Sequence, residues 1–133
     1  MMPTWDEAMT TGVAELDADH RRIAELFDDI LLSLNREQNS ASLSALLSEL
    51  VDVMCEHIAR EGDLMSSIHY QNAGPHLAGH DEYFNRLSQL VVDCQRHSQD
   101  VAANVLKLQK IWKFNHLTQW DQPLAQAILA LRD

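Results

Sequence analysis

Six histidine and carboxylate side chains of this chain fall where a helical seam calls for leucine. His57 and Glu61 are four residues apart, as are His76 and His80, so each pair projects from one helix face toward a common point. His20 stands three residues before Ile23 and seven before Phe27. His116 stands four after Trp112. Each of them extends an apolar stripe. Buried without partners, such groups cost several kcal/mol each. A shared metal removes that cost, because neutral imidazole nitrogens and carboxylate oxygens become ligands. A lone buried histidine is more often a hydrogen-bonded core residue, and a lone HxxxE pair is common on solvated helices. Six such residues on the inward seams of four helices call for one common cause.

Four elements must position them. A first helix, capped by Asp17 or Asp19 and running to about Arg36, carries the stripe Ile23, Phe27, Ile30 and Leu34. After a turn at Asn39-Ser40, a second helix from about Ser42 to Ile68 carries Leu43, Leu47, Leu50, Met54, His57, Glu61, Leu64 and Ile68. Asn72, Gly74 and Pro75 mark a break. A third helix from Pro75 carries His76, His80, Tyr83, Leu87, Leu90 and Cys94. Beyond a polar gap at residues 98–100, a fourth carries Val101, Val105, Leu108, Trp112 and His116. Pro123 interrupts that pattern and pushes Gln122 out of the helical region. Leu124 to Leu131 form a short closing helix. The expected fold is all-α: an up-down-up-down four-helix bundle (residues 17–120) with an irregular N-terminal arm (1–16) and a short C-terminal helix (121–133), in one domain.

Asp121 is the seventh candidate ligand. In a continuous α-helix it would point about 140° away from His116. The expectation is that the helix ends near Pro123 and lets Asp121 turn back. Five histidines and two carboxylates exceed what one zinc ion uses. They suit two octahedral-leaning ions bridged by Glu61 and Asp121, since a carboxylate can span two metals and an imidazole nitrogen cannot. Iron, copper, zinc and nickel all accept such donors. The set has fewer anionic ligands than the four Glu and two His of oxidative di-iron bundles. That favours reversible oxygen binding over oxygen activation. His69 and His97, near helix ends, read as surface residues. Cys55 and Cys94 read as reduced packing thiols.

The totals narrow the function further. The 133 residues fit one core, and 20 acidic against 10 basic residues give a formal charge of −10. That balance argues against nucleic acid and anionic membrane surfaces as partners. No apolar run reaches the roughly 20 residues of a membrane span, so membrane insertion is not expected. The first residues lack the basic and apolar regions of a secretory signal, and a cytoplasmic location follows as the expectation.

With these residues in view, the chain resembles the hemerythrin family, specifically its single-domain bacterial members. The resemblance runs through Trp5, Thr11-Gly12-Val13, Leu16-Asp17 and His20; His57-x-x-x-Glu61 with Leu64-Met65; His76-x-x-x-His80 with Phe84; and Trp112, Asn115-His116-x-x-x-x-Asp121. All seven ligand positions are filled in order and with the family's spacing. The resemblance implies two iron ions in an oxo- or hydroxo-bridged di-iron centre, with dioxygen as ligand. It assigns His76, His80 and His116 to one iron, His20 and His57 to the other, and an open position to the second. Two positions depart from the family pattern. Gly62 replaces a frequent second Glu, and Ile58 replaces a frequent Phe beside the second-helix histidine. Ile23, Ile58, Leu108 and Trp112 are the candidate walls of the oxygen pocket.

The leading function expected from the resemblance is reversible dioxygen binding for storage, transport or delivery to an oxygen-using enzyme, without catalysis. Two alternatives stand beside it. One is an oxygen, nitric oxide or redox sensor acting through a signalling partner. The other is a di-iron enzyme with peroxidase or nitric oxide reductase activity. A monomer or weak homo-oligomer is expected.

Overall fold

The structure, a computed structural model, describes residues 3–35, 40–95 and 101–132. Helix α1 spans Ala14–Asn35, α2 Ser40–Ser67, α3 Ala73–Gln95 and α4 Val101–Ile111. A π-helical segment, Trp112–Asp121, continues α4 and leads directly into α5, Gln122–Arg132. Consecutive helices pack against each other, and α4 closes the bundle against α1. The all-α bundle expected from the stripes is therefore the observed fold. No described helix is long and apolar enough to cross a membrane.

The seams pack as the spacing dictates. Ile23, Phe27 and Ile30 of α1 meet Leu47, Leu50 and Met54 of α2, Leu87 and Leu90 of α3, and Val105, Leu108 and Trp112 in one apolar cluster. A second cluster joins Val13, Leu16, Met65, Leu124, Ala125 and Ile128. The sequence places the histidines between these sets on every helix. On α1, His20 separates Leu16 from Ile23; on α2, His57 and Glu61 separate Met54 from Met65. The polar layer is thus sealed on two sides by hydrocarbon, which lowers the local dielectric and strengthens every electrostatic contact inside it.

Several boundaries differ from the expected ones. Helix α1 begins at Ala14, so neither Asp17 nor Asp19 is its cap. Asp17 instead accepts from Thr11 N at 2.8 Å, Thr11 Oγ1 at 2.7 Å and Gly12 N at 3.1 Å, folding the arm back at Gly12, whose φ is +89°. The arm is pinned as well. Thr4 N donates to Asp28 at 2.9 Å, Gln109 Nε2 donates to Thr4 Oγ1 at 2.6 Å, and Lys113 pairs with Asp6 at 3.1 Å. Helix α2 ends in a reversed pair of hydrogen bonds, Tyr70 N to Met65 O at 3.0 Å and His69 N to Ser66 O at 3.3 Å. His69 takes the left-handed position of this C-terminal motif, with φ +52° and an exposed side chain. Cys94 is buried in the main core, but Cys55 is exposed. One step from Met54 rotates Cys55 by about 100° off the inward face. Ser40 of the expected Asn39-Ser40 turn is the first residue of α2; Asn39, His97 and the expected polar gap at residues 98–100 lie outside the described residues.

The largest difference lies at Pro123. The helical path does not end there: Gln122 is helical, with φ −66° and ψ −44°, and Pro123 is the second residue of α5. Because the chain is already helical before Pro123, the missing proline N–H removes one hydrogen bond from a continuous helical path, where the wider turn passes into α5.

Candidate metal centre

All seven expected ligands are inside the bundle: His20, Glu61, His76 and Asp121 are fully buried, and His116, the most accessible, is 6% exposed. Asp121 arrives by a route other than a helix end. In the π-helical segment the hydrogen bonds run from residue i+5 back to i, as from Gln122 N to Leu117 O. Thr118 adds a side-chain bond to Lys113 O at 3.2 Å over the same interval. A turn closed at five residues stacks Asp121 on His116, so the residue that an α-helix would turn away points into the core.

The ligand atoms converge as two overlapping groups. Glu61, His76, His80, His116 and Asp121 form one, and His20, His57 and Asp121 the other, each with donor atoms within 4.8 Å of one another. Asp121 divides its oxygens between them. Oδ2 lies 3.1 Å from His20 Nε2 and 3.9 Å from His57 Nε2, while Oδ1 lies 3.1 Å from His76 Nε2 and 3.5 Å from His116 Nε2. Glu61 also reaches both sides. Its Oε1 is 2.8 Å from His57 Nε2 and 2.9 Å from His80 Nε2, and its Oε2 is 3.5 Å from His76 Nε2.

These donors fit metal ions better than they fit each other. His20 Nε2 and both Asp121 oxygens lie close together yet make no hydrogen bond of proper geometry; the same holds for His57 Nε2, His76 Nε2 and Glu61 Oε2. Each unsatisfied buried group costs about 1–3 kcal/mol. Nitrogens and oxygens aimed at shared points, rather than along donor–acceptor lines, are what coordination needs.

The charges of the metal-free cluster tell the same story. Burial opposes ionisation of Glu61 and so does Asp121, but His57 and His76 outweigh them and hold its carboxyl down at about 2. Burial likewise opposes the Asp121 carboxylate, and the surrounding histidines drive it well below its ordinary range. Burial disfavours the His76 cation, yet the close Asp121 and Glu61 carboxylates lift it to about 9. His57 is lifted well above its usual value, against burial, by Glu61, Asp121 and Asp19. Burial dominates at His116 and lowers it to about 4. Protons therefore occupy part of the place a cation would take, and metal uptake would displace them.

The model of the hemerythrin HHE cation binding domain matches residues 11–128. The chain belongs to the hemerythrin family. Among its relatives, a bacteriohemerythrin of Pseudomonas paraeruginosa is 29% identical over 124 residues, covering 93% of this chain and 80% of that protein. One from Stenotrophomonas maltophilia is 25% identical over 126 residues, covering 95% and 81%. A hemerythrin-like protein of Naegleria gruberi is 29% identical over 79 residues, covering 59% and 60%. No solved structure matches the chain significantly. Family and buried cluster together support a non-haem iron site.

Within this hemerythrin domain the four expected pocket walls are not equivalent. Trp112 is fully buried, and its ring centroid lies 6.0 Å from that of His20 and 5.9 Å from that of Phe27. Ile23 and Leu108 are buried in the same cluster, whereas Ile58 is half-buried at its margin.

One contributor escaped the sequence reading. Asp19 Oδ2 lies 3.0 Å from His57 Nδ1, and Arg60 holds the same carboxylate from α2. Burial opposes ionisation of Asp19, but hydrogen bonds from His57 and Arg60 prevail and keep its carboxyl below its ordinary value. A carboxylate behind a ligand histidine fixes which nitrogen carries the proton and raises the basicity of the other. His57 alone has this support: the Nδ1 atoms of His20, His76 and His80 are buried without a partner, and no described residue bonds His116 Nδ1. The only signal in the sequence was that Asp19 adjoins His20.

Proposed function

We propose that this hemerythrin domain binds dioxygen reversibly at a di-iron centre and does not use it to oxidise a substrate. The observation that carries the reading is the unequal division of ligands. Three histidines, His76, His80 and His116, gather on one side, and two, His20 and His57, on the other, with Asp121 shared. His76, His80 and His116 with the two carboxylates would complete one iron. His20 and His57 with the same carboxylates would give the second iron one protein ligand fewer, which is where dioxygen could bind. A reduced iron pair supplies the two electrons that reversible oxygen binding requires.

The chain's own residues do the rest. Glu61 and Asp121 present two oxygens each, so either can span both ions. Asp19 holds the His57 ring, and Trp112 covers His20 from the direction of the main core. Those hydrocarbon walls exclude water and bulky reductants from the two-histidine side, which slows loss of electrons from the reduced state. Storage, transport or delivery of oxygen in the cytoplasm follows as the biological role.

The test is optical. Iron-loaded protein, reduced under argon, should develop a visible band in air and lose it again under argon over repeated cycles. A single irreversible oxidation, or steady oxygen consumption with an added electron donor, would overturn the proposal.

A further inference from the structure

His57 Nδ1 has Asp19 behind it; His116 Nδ1 has a cleft. The cleft lies between α3 and the π-helical segment and has a volume of about 110 Å³. Gly79 forms part of its floor. A Cβ added there would stand 3.9 Å from Trp120 Nε1 and 4.0 Å from His116 Nδ1, so two ring nitrogens converge on the space a side chain would fill. His116 lines the cleft and is only 6% exposed. With Nε2 bound to a metal its lone pair is used, so Nδ1 would carry the ring proton and act as a donor. Trp120 Nε1 is a donor only, and neither nitrogen has a hydrogen-bond acceptor among the described residues. Tyr83, on the cleft wall, donates to Leu108 O at 3.2 Å. Arg86 at the rim donates to Glu82 at 3.2 Å, leaving most of its N–H groups free.

We propose that the cleft over Gly79 is a binding site for a small carboxylate or bicarbonate-sized oxyanion, which accepts hydrogen bonds from His116 Nδ1 and Trp120 Nε1. Glu82 and Asn115 also line the cleft, but the Glu82 carboxylate is paired with Arg86 at 3.2 Å, so the two convergent N–H donors set its preference for an oxygen acceptor such as a carboxylate. The cleft has room for a small ligand, and the two donors meet close to where a Gly79 Cβ would stand, which suits one carboxylate-sized group. Bound there, the anion does for His116 what Asp19 does for His57, making the imidazole a stronger donor to the metal. Occupancy thereby tunes the three-histidine side of the centre from solvent, without contact with the two-histidine side. The inference rests on the reading that His116 is a metal ligand through Nε2.

The experiment titrates sodium acetate into iron-loaded, reduced protein at constant ionic strength, with chloride as the balancing anion. The hyperfine-shifted N–H resonances of the ligand histidines are followed by NMR. One of them, from His116, should shift saturably in the millimolar range. Gly79→Ala places a methyl group in the cleft and should abolish the shift; the variant should fold, because alanine is the better helix former. Trp120→Phe removes one donor and should weaken binding about tenfold. No shift, an equal shift with chloride, or an undiminished shift in Gly79→Ala (the sign of acetate bound directly to iron) would overturn the site. A chain that takes up no iron would defeat the di-iron reading instead; an iron-loaded chain indifferent to acetate would defeat this one alone.

Discussion

Replacing Asp19 with alanine removes one side chain that touches no metal and should still change how metal binds. The carboxylate is 16% exposed and accepts from His57 Nδ1 at 3.0 Å. A hydrogen bond to a charged group is worth about 1.5–3 kcal/mol. Its other partner, Arg60, is 42% exposed, so that pairing adds little. Loss of a carboxylate behind a ligand histidine commonly lowers metal affinity about 10–100-fold, and at 1.4 kcal/mol per factor of ten that is about 1.4–2.8 kcal/mol. The two routes agree. The loss should be confined to the ion held by His20 and His57, because Asp19 supports no other ligand. Anaerobic iron titration against a competing chelator should show the tighter ion unchanged and the weaker one shifted by 10–100-fold. Asp19→Asn, whose amide oxygen still accepts, should recover part of the difference. Equal weakening of both ions, or no change in either, would refute the assignment of Asp19 to His57.

Three further outcomes are expected. The metal-free protein should be most stable near pH 6.5. His57 and His76 are raised, the latter from 6.5 to about 9, so their contribution is full below 6.5 and lost as pH rises through about 9. His116, lowered from 6.5 to about 4, withdraws stability as pH falls across that interval, and Glu61, lowered from 4.5 to about 2, does so below it. Thermal melts with and without metal should therefore diverge between pH 6.5 and 9, and a flat metal-free profile would contradict the charge assignment. Gly62→Ala should raise the melting temperature by a few degrees, since nothing lies within 4 Å of the added Cβ and alanine is favoured over glycine in a helix by up to about 1 kcal/mol; a lower melting temperature would show that the position needs glycine. Trp112→Leu should speed oxidation of the reduced, oxygen-exposed protein several-fold by opening the space beside His20. An unchanged rate would remove Trp112 from the protective wall.

The bundle was legible in the sequence because burial leaves a periodic mark. Ile23, Phe27 and Ile30 repeat at helical intervals, and His20 extends the same series, so its inward direction followed from its neighbours. The same rule misdirected Asp121. A five-residue step is off-face at 3.6 residues per turn and becomes on-face only in a wider turn, and no residue from Trp112 to Asp121 announces that width. Pro123 was a true signal of irregularity but of another kind: the chain widens before it and stays helical through it. Asp19 was hidden for the opposite reason. A carboxylate one residue from a ligand reads as an ordinary polar position, and its bond to His57 spans two helices. Nor could spacing tell that Gly79 leaves room beside His116, since that depends on where Trp120 lands. Periodicity thus gave the direction of side chains on regular helices. It did not give contacts between helices or departures from the α-helical turn.

The central claim is that seven residues of one chain hold two iron ions, with Glu61 and Asp121 between them. The most direct measurement is diffraction from crystals of the iron-loaded protein with data at the iron absorption edge. Two anomalous peaks are expected inside the bundle, one facing His76, His80 and His116 and the other facing His20 and His57, each within bonding distance of an oxygen of Asp121. A single peak, or two peaks with Asp121 bound to neither, would contradict it.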